Sequence, residues 1–243
     1  MEKTEFYQLF TDIFCKNGLE SYVTPACMDT FYRLTDIMIR TNQVMNITAL
    51  TTPEKIIPLH YADCVKAASL IPLNARVADI GCGGGFPILP LAIVRPDLKL
   101  IGIDSTDKKV KYVNHTAKEL NLSNVTAISG RAEDLAKNRT YRESFDVVIS
   151  RAVARLNVLN ELCIPFVKNN GIFIAMKGAA GQTELDECTA GIEKLGGKIE
   201  DVAQYELHVN TESESRMIIT VIKETVTPDQ YPRTFGAIKK KPL

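Results

Sequence analysis

Arg76-Val-Ala-Asp-Ile-Gly-Cys-Gly-Gly-Gly85 is the stretch whose reading decides the fold. Val77, Ala78 and Ile80 form an apolar run bounded by glycines, the length and composition of a strand covered on both faces of a sheet. Glycines at 81, 83, 84 and 85 follow, a turn in which backbone can approach a ligand without side-chain interference. From Phe86 to Val94 an apolar helical run resumes. The order strand, glycine turn, helix predicts a ligand-binding loop at the carboxyl end of the first strand of an α/β sheet.

Two cofactor classes use such a loop. A dinucleotide loop wants glycine or alanine at the sixth position of G-x-G-x-x-G, where strand and helix pack closely and pyrophosphate meets the helix N-terminus. Counted from Gly81, that position is Phe86, which is too bulky for the packing. Asp79 instead completes an acidic Asp-x-Gly-x-Gly-x-Gly pattern with Gly81 and Gly83. A carboxylate there is awkward beside pyrophosphate but favourable beside a cationic amino acid. S-adenosyl-L-methionine carries an ammonium and a sulfonium and no phosphate, and is the cofactor expected.

The chain has 243 residues, 45% of them hydrophobic, enough to bury a full core as one domain with a modest extension. Lysines and arginines number 29, as do aspartates and glutamates, so no global basic field announces nucleic acid. No apolar run reaches membrane-spanning length, and Met1-Glu-Lys-Thr-Glu5 is no signal peptide. Cysteines 15, 27, 64, 82, 163 and 188 show neither C-x-x-C pairing nor histidine-spaced sets. They read as free thiols in a reducing cytosol, and no metal is expected. A cytoplasmic protein with no membrane partner follows.

Residues 1–70 read as a helical extension. Phe6, Leu9, Phe10, Ile13 and Phe14 keep the spacing of a buried helix stripe. Asn17-Gly18 suits a left-handed cap, and Thr24-Pro25 and Thr52-Pro53 each place an N-cap before a first-turn proline. Phe31, Leu34 and Met38 give a second stripe, whereas the amide-rich Asn42–Thr48 breaks the period and predicts a loop. Its amides either cap neighbouring backbone or face a ligand.

Residues 71–224 alternate strands and helices at the pace of a mostly parallel sheet. Leu100–Asp104 is a second strand ending in a carboxylate, about twenty residues past the glycine turn, where an acidic side chain accepts ribose hydroxyls. Val125–Ser129 is a third strand, and Glu133 just beyond it is placed for the adenine. Phe145–Ser150 and Gly171–Ala175 are the fourth and fifth, delivering Arg151 and Lys177. Apolar runs near Ile199–Val209 and Met217–Ile222 suit a final antiparallel pair, making seven strands. Gly81, Asp104, Glu133, Arg151 and Lys177 should then meet in one crevice beyond the strand ends.

The acidic residues 183–201 read as one exposed helix. Residues 225–243 form a basic tail whose last thirteen positions, Tyr231–Leu243, include Arg233 and the triplet Lys239-Lys240-Lys241. Such a segment is either a disordered solubilising tail or a basic flap on RNA phosphate.

Taken together, the chain resembles the bacterial small-subunit rRNA (guanine-N7) methyltransferases of the RsmG or GidB type. The resemblance is carried by Asn42-x-x-x-Asn46-Ile-Thr48, by Leu59-His60 with Asp63, and by the Asp79–Gly85 loop. Phe86-Pro87-x-x-Pro90-Leu-Ala-Ile-Val-Arg-Pro96, Asp104-Ser105, Lys109-Val110 and Arg131-Ala-Glu-Asp134 extend it. Ser150-Arg-Ala152, Lys177-Gly178 and Tyr231-Pro-Arg233 complete it. One departure is Gly236-Ala-Ile238, where the family commonly shows Gly-x-Pro.

The resemblance implies a class I methyltransferase fold, Rossmann-like, with an N-terminal helical extension. It implies transfer of a methyl group from S-adenosylmethionine to N7 of one guanine in the decoding-region loop of 16S rRNA, as free RNA or within the 30S subunit. Family-matched cofactor contacts fall on Gly81, Phe86, Ala132, Glu133 and Arg151, and Asn46, His60, Lys177 and Arg233 are candidate RNA contacts. Ser150-Arg151-Ala152 stands where amide-type methylations carry Asn-Pro-Pro-Tyr, and no Pro-Cys pair for carbon methylation is present. Catalysis is therefore expected to rest on positioning, with no catalytic residue required. Two other readings compete: a methyltransferase acting on a non-RNA substrate, and a dinucleotide-dependent oxidoreductase.

Overall fold

The computed structural model describes residues 1–243. Helix α1 (Lys3–Lys16) buries Phe6, Phe10, Ile13 and Phe14, and α2 (Pro25–Asn42) buries Phe31, Leu34 and Met38. Both apolar stripes thus find the partner their period demands. Thr24 Oγ1 accepts the Cys27 N–H at 3.3 Å, and Gly18 adopts a left-handed φ of 66° after the first helix. The short α3 (Pro53–Ile56) runs through a π-helical segment, Ile57–Ala62, into α4 (Asp63–Val65). Such widened turns are uncommon and often mark functional sites.

The sheet follows. Strand β1 (Arg76–Ile80) leads through the glycine turn to α5 (Ile88–Val94), then β2 (Lys99–Asp104), α6 (Asp107–Glu119) and β3 (Val125–Ser129). After α7 (Ala132–Leu135) come β4 (Phe145–Arg151), α8 (Leu156–Cys163), β5 (Val167–Gly178), α9 (Gly181–Asp186) and α10 (Thr189–Lys194). Strands β6 (Gly197–Val209) and β7 (Glu212–Lys223) form a hairpin, and α11 (Phe235–Lys240) closes the chain. The spatial order is β3-β2-β1-β4-β5-β7-β6, parallel from β3 to β5, with β7 antiparallel to β5 and to β6. Strand order reverses between β1 and β4, so the crevice opens beyond their carboxyl ends.

Two cores flank the sheet because successive strand residues face opposite sides. Val77, Ile149, Ile174 and Met176 join α1, α2, the 56–71 segment, α5 and α6 on one face. Ala78, Ile80, Val148, Phe173 and Ala175 join α8, α9, α10 and α11 on the other. The N-terminal helices therefore share a core with the sheet. Phe31 sits at its centre, with ring centroids 5.2 Å from Phe10, 5.9 Å from Phe14 and 4.7 Å from Tyr61.

Two regions differ from the sequence reading. Residues 183–201 are two short helices and the start of β6, not one exposed helix, because Leu185 and Ile192 are buried and Gly196 turns the chain at a φ of 86°. A Cβ on Gly196 would lie 2.2 Å from the Thr225 carbonyl oxygen, so only glycine permits that turn. The C-terminal segment is ordered. It borrows its core: Ile238 is fully buried, and Arg233 forks onto Glu161 of α8, with Nε 2.9 Å from Oε1 and Nη2 2.6 Å from Oε2. Glu161 is 0% exposed and also accepts the Arg233 backbone N–H at 2.7 Å, so its buried charge is fully met.

Replacing Phe31 with alanine empties the junction of three segments, and is expected to cost about 3–5 kcal/mol. Chemical denaturation should show one transition moved to lower denaturant. An independent early transition for the N-terminal helices would contradict the shared core.

Candidate active site

Three features build the site from the strand ends. The first is the glycine turn. Gly81 N–H and Cys82 N–H both donate to the Ile103 carbonyl, at 2.8 and 3.1 Å, tying the loop to β2. Gly81 and Gly83 have φ of 76° and 52°. A Cβ on Gly81 would lie 2.4 Å from Val153 Cγ2, whereas one on Gly83 would meet only the Gly81 carbonyl oxygen at 3.8 Å. Gly83 thus needs its freedom for backbone shape and leaves open space above the turn.

The second feature is a set of carboxylates around that turn. Asp104 Oδ2 accepts the Gly83 N–H at 3.0 Å and Oδ1 accepts the Thr106 N–H at 2.8 Å. Its carboxylate is thereby fixed at the cleft edge with lone pairs to spare. Glu133 is buried, with Oε1 3.9 Å from Arg131 Nη1. Asp79 is 0% exposed, and its Oδ2 accepts the Ile88 N–H at 3.2 Å. Asp79 Oδ1 has no partner. Burial pushes the Asp79 carboxyl up to about 7, against the opposing pull of the Ile88 N–H and Arg151.

The third feature is Arg151 at the end of β4. Its Nη1 donates to the Leu59 carbonyl and to Asp63 Oδ2, each at 2.9 Å, and Nη2 donates to His60 Nδ1 at 3.0 Å. Because Nδ1 accepts, the proton of the neutral imidazole sits on Nε2, which reaches Thr48 Oγ1 at 2.8 Å. Burial, and then the nearby Arg151 charge, hold the His60 imidazolium down to a pKa of about 3, so His60 is neutral. Its ring lies flat on Phe86, centroids 4.2 Å apart and planes 9° apart. Tyr205 Oη donates to Asp63 Oδ1 at 3.0 Å, and Arg216 Nε stands 3.5 Å from the same oxygen. Arg151 Nε is buried without a partner.

These features line contiguous clefts. One of about 230 Å³ includes Gly81, Asp104, Ala132 and Glu133. It meets a second of about 420 Å³ along Gly81, Asp104 and Val153, the latter also bounded by Gly83, Phe86, His60 and Arg151. Arg151 and Ala152 then border a third of about 310 Å³, with Lys177, Glu184 and Arg216. Ala152 turns the chain there at a φ of 57°, uncommon for a residue other than glycine.

The sequence-predicted residues divide accordingly. Gly81, Gly83, Phe86, Asp104, Ala132, Glu133 and Arg151 border the first two clefts, and Asp79 lies beneath the turn. Lys177 borders the third, where Nζ pairs with Glu184 at 2.6 Å and donates to the Ala154 carbonyl at 2.9 Å. Asn46 is exposed on the 42–48 loop, whose shape comes from Asn42 capping it: Oδ1 accepts Ile47 and Thr48 N–H at 2.8 and 3.1 Å. Arg233 is committed to Glu161. Thr48, Asp63, Tyr205 and Arg216 receive no role from sequence, and only Thr48, in the Asn42–Thr48 motif, and Asp63, a charge inside an apolar helical stretch, carry a signal that could have earned one. No group of three or more His, Cys, Asp or Glu side chains is arranged to hold a metal ion. No helix is long and apolar enough to cross a membrane.

Comparison with known proteins gives concordant matches. The family model described as rRNA small subunit methyltransferase G matches residues 28–212. The ribosomal RNA small subunit methyltransferase G of Oceanobacillus iheyensis is 45% identical over 217 residues, covering 88% of this chain and 90% of that one. Its counterpart in Clostridium kluyveri is 41% identical over 215 residues, covering 88% and 89%. Among solved structures, M. jannaschii TYW2 in complex with AdoMet superposes with a TM-score of 0.54 at 17% identity, covering 67% of this chain and 75% of that one. The precorrin-6y C5,15-methyltransferase of Geobacter metallireducens gives 0.51 at 12% identity, covering 75% and 93%. Those two likenesses establish the fold, that of class I methyltransferases.

The Asp79 carboxyl yields a pH prediction. Unfolded, it loses its proton near 3.8; folded, it keeps it to about 7. Between those values the folded chain binds more protons, so this group's contribution falls as pH rises and its penalty is complete above about 7. The opposite slope of His60, neutral when folded, runs from about 3 to 6.5 and overlaps that window, but it is common to parent and variant. Asp79→Asn should therefore gain stability relative to the parent between pH 5 and pH 8, read by urea denaturation without cofactor. A constant difference across that range would show that Asp79 is ionised throughout.

Proposed function

This chain belongs to the rRNA small subunit methyltransferase G family, and from that premise we propose that it transfers a methyl group from S-adenosylmethionine to N7 of one guanine in 16S rRNA. The observation that carries the reading is the join between the carboxylate-rimmed glycine turn and the Arg151 cluster, a pocket opening directly onto a rim of Arg151, Lys177 and Arg216 set beside Asp63 and Glu184.

The residues fit this cofactor and not a phosphate-bearing one. Asp79, buried beneath the turn with one unpartnered oxygen, would favour a cationic amino-acid end over a pyrophosphate. Asp104, already clamped by two backbone N–H groups, is preorganised to accept ribose hydroxyls. Ala132 and Glu133 would hold the adenine edge, and the open backbone at Gly81 and Gly83 would seat the amino-acid end. Phe86, locked beneath His60, would wall the sulfonium end together with Arg151. Bound there, S-adenosylmethionine supplies an electrophilic methyl to a ring nitrogen whose lone pair bears no proton.

No residue need therefore take a proton, and none near the Arg151 cluster is built to do so. Neutral His60 spends both nitrogens on Arg151 and Thr48. The chain's contribution is alignment, which can be worth about 7–11 kcal/mol of barrier. It must also receive a base taken out of its stack, at a cost of a few kcal/mol. Lys177, Arg151 and Arg216 line the rim where RNA would arrive, with His60 and the Asn46 loop beside it. Arg233 would reach RNA only by releasing Glu161.

Two measurements test the reading. Asp104→Ala removes a charge-assisted, two-oxygen ligand, and should raise the Kd for S-adenosylmethionine about tenfold or more in calorimetry. Mapping N7-methylguanine in 16S rRNA from cells with and without the gene should show one modified guanine lost on deletion and restored by the parent gene. Retention of every N7-methylguanine after deletion refutes the substrate. Binding of NAD in preference to S-adenosylmethionine refutes the cofactor.

A further inference from the structure

Helix α11 stands where neither the glycine turn nor the strand-end carboxylates account for it. Its first residue, Phe235, is half-buried and lines the same 230 Å³ cleft as Ile103, Ala132, Glu133 and Leu162. The placement is enforced from both sides. Upstream, Arg233 is forked onto the buried Glu161 of α8; downstream, Ile238 is fully buried in the core beneath. With one anchor two residues before and the other three after, Phe235 is left at the cleft. Lys239 Nζ lies over its ring, 5.8 Å from the centroid.

We propose that Phe235, carried by the C-terminal segment, is a cofactor-binding residue whose ring packs on the adenine of S-adenosylmethionine. The inference rests on the proposed function. The cleft has the chemistry of a purine recess: Ile103, Ala132, Leu162 and Phe235 give it apolar walls, and the buried Glu133 with the adjoining backbone gives it a polar edge. An aromatic face suits any base, since stacking needs only the π surface. The tail is therefore part of the donor pocket, and Arg233 is a positioning residue that holds Phe235 against it.

Calorimetry on the full-length chain with three ligands tests this. S-adenosylmethionine and S-adenosylhomocysteine carry both ends of the cofactor; 5′-methylthioadenosine carries adenine and ribose without the amino acid. Phe235→Ala should weaken all three by about tenfold, the loss of one aromatic–base contact. Phe235→Tyr should bind within about twofold of the parent. Phe235→Leu, which keeps volume without a flat ring, should fall between, and it serves as the test variant should the alanine form fail to fold in ligand-free melting. Equal affinity of parent, leucine and folded alanine forms for these ligands overturns the inference alone. A loss seen with S-adenosylmethionine but absent with 5′-methylthioadenosine also overturns it, because the contact is then not with the adenine. A parent chain that binds none of the three overturns the proposed function and this inference together.

Discussion

One guanidinium stitches the site together. Arg151, only 14% exposed at its side chain, ends β4 and donates to the carbonyl of Leu59, the carboxylate of Asp63 and the ring of His60. Asp63, itself 5% exposed, is shared with Tyr205 of β6 and Arg216 of β7. A central strand, the π-helical segment and the edge hairpin are thus held by a single buried charge pair. Buried pairs of this kind are weak sources of net stability, because desolvation offsets the attraction, but removing one partner leaves an uncompensated charge. The network's value lies in registering three separately encoded segments around one cleft. It also explains why Leu59, His60, Tyr205 and Arg216, far apart in sequence, converge on Arg151 and Asp63.

The cofactor side uses a complementary device. Asp104 receives backbone N–H groups from both the glycine turn and the start of α6, so the carboxylate is placed before any ligand arrives. Asp79 does the opposite, keeping one oxygen unpaired in a dry site. The structure therefore holds one carboxylate satisfied and one frustrated on either side of a single glycine loop.

Much of this was legible in the sequence. Strands deliver chemistry at their carboxyl ends with a regular spacing, so Asp104, Glu133, Arg151 and Lys177 could be placed from the alternation of elements alone. What escaped reading was whatever depends on contacts between distant segments. Arg216 follows Glu212-Ser-Glu-Ser215 and carries no local mark of the site; only the β5–β7 register brings it opposite Gly178. Residues 183–201 read as exposed because their net acidity masks a buried stripe at helical spacing, Leu185, Cys188, Ile192 and Leu195. The C-terminal segment reads as a disordered tail or a basic flap for a sound reason. It cannot make a core, but one buried isoleucine and one arginine fork suffice when α8 supplies the rest.

The two ends of the chain are joined at one crevice. The helices before β1 and the segment after β7 lie at opposite ends of the chain, yet each reaches the same crevice: Thr48 and His60 beside the glycine turn, Phe235 at the other end. Neither could do so as an appended module, since Phe31 and Ile238 are buried in the two cores that clasp the sheet. Alignment chemistry needs this. A reaction that asks for no proton transfer gains its rate from geometry, and an error of about 1 Å can cost a hundredfold. Walls drawn from rigid, co-folded ends of the chain hold that tolerance better than loops that close over a bound ligand would, and the buried charges at Asp63 and Glu161 are the points at which each end is fixed.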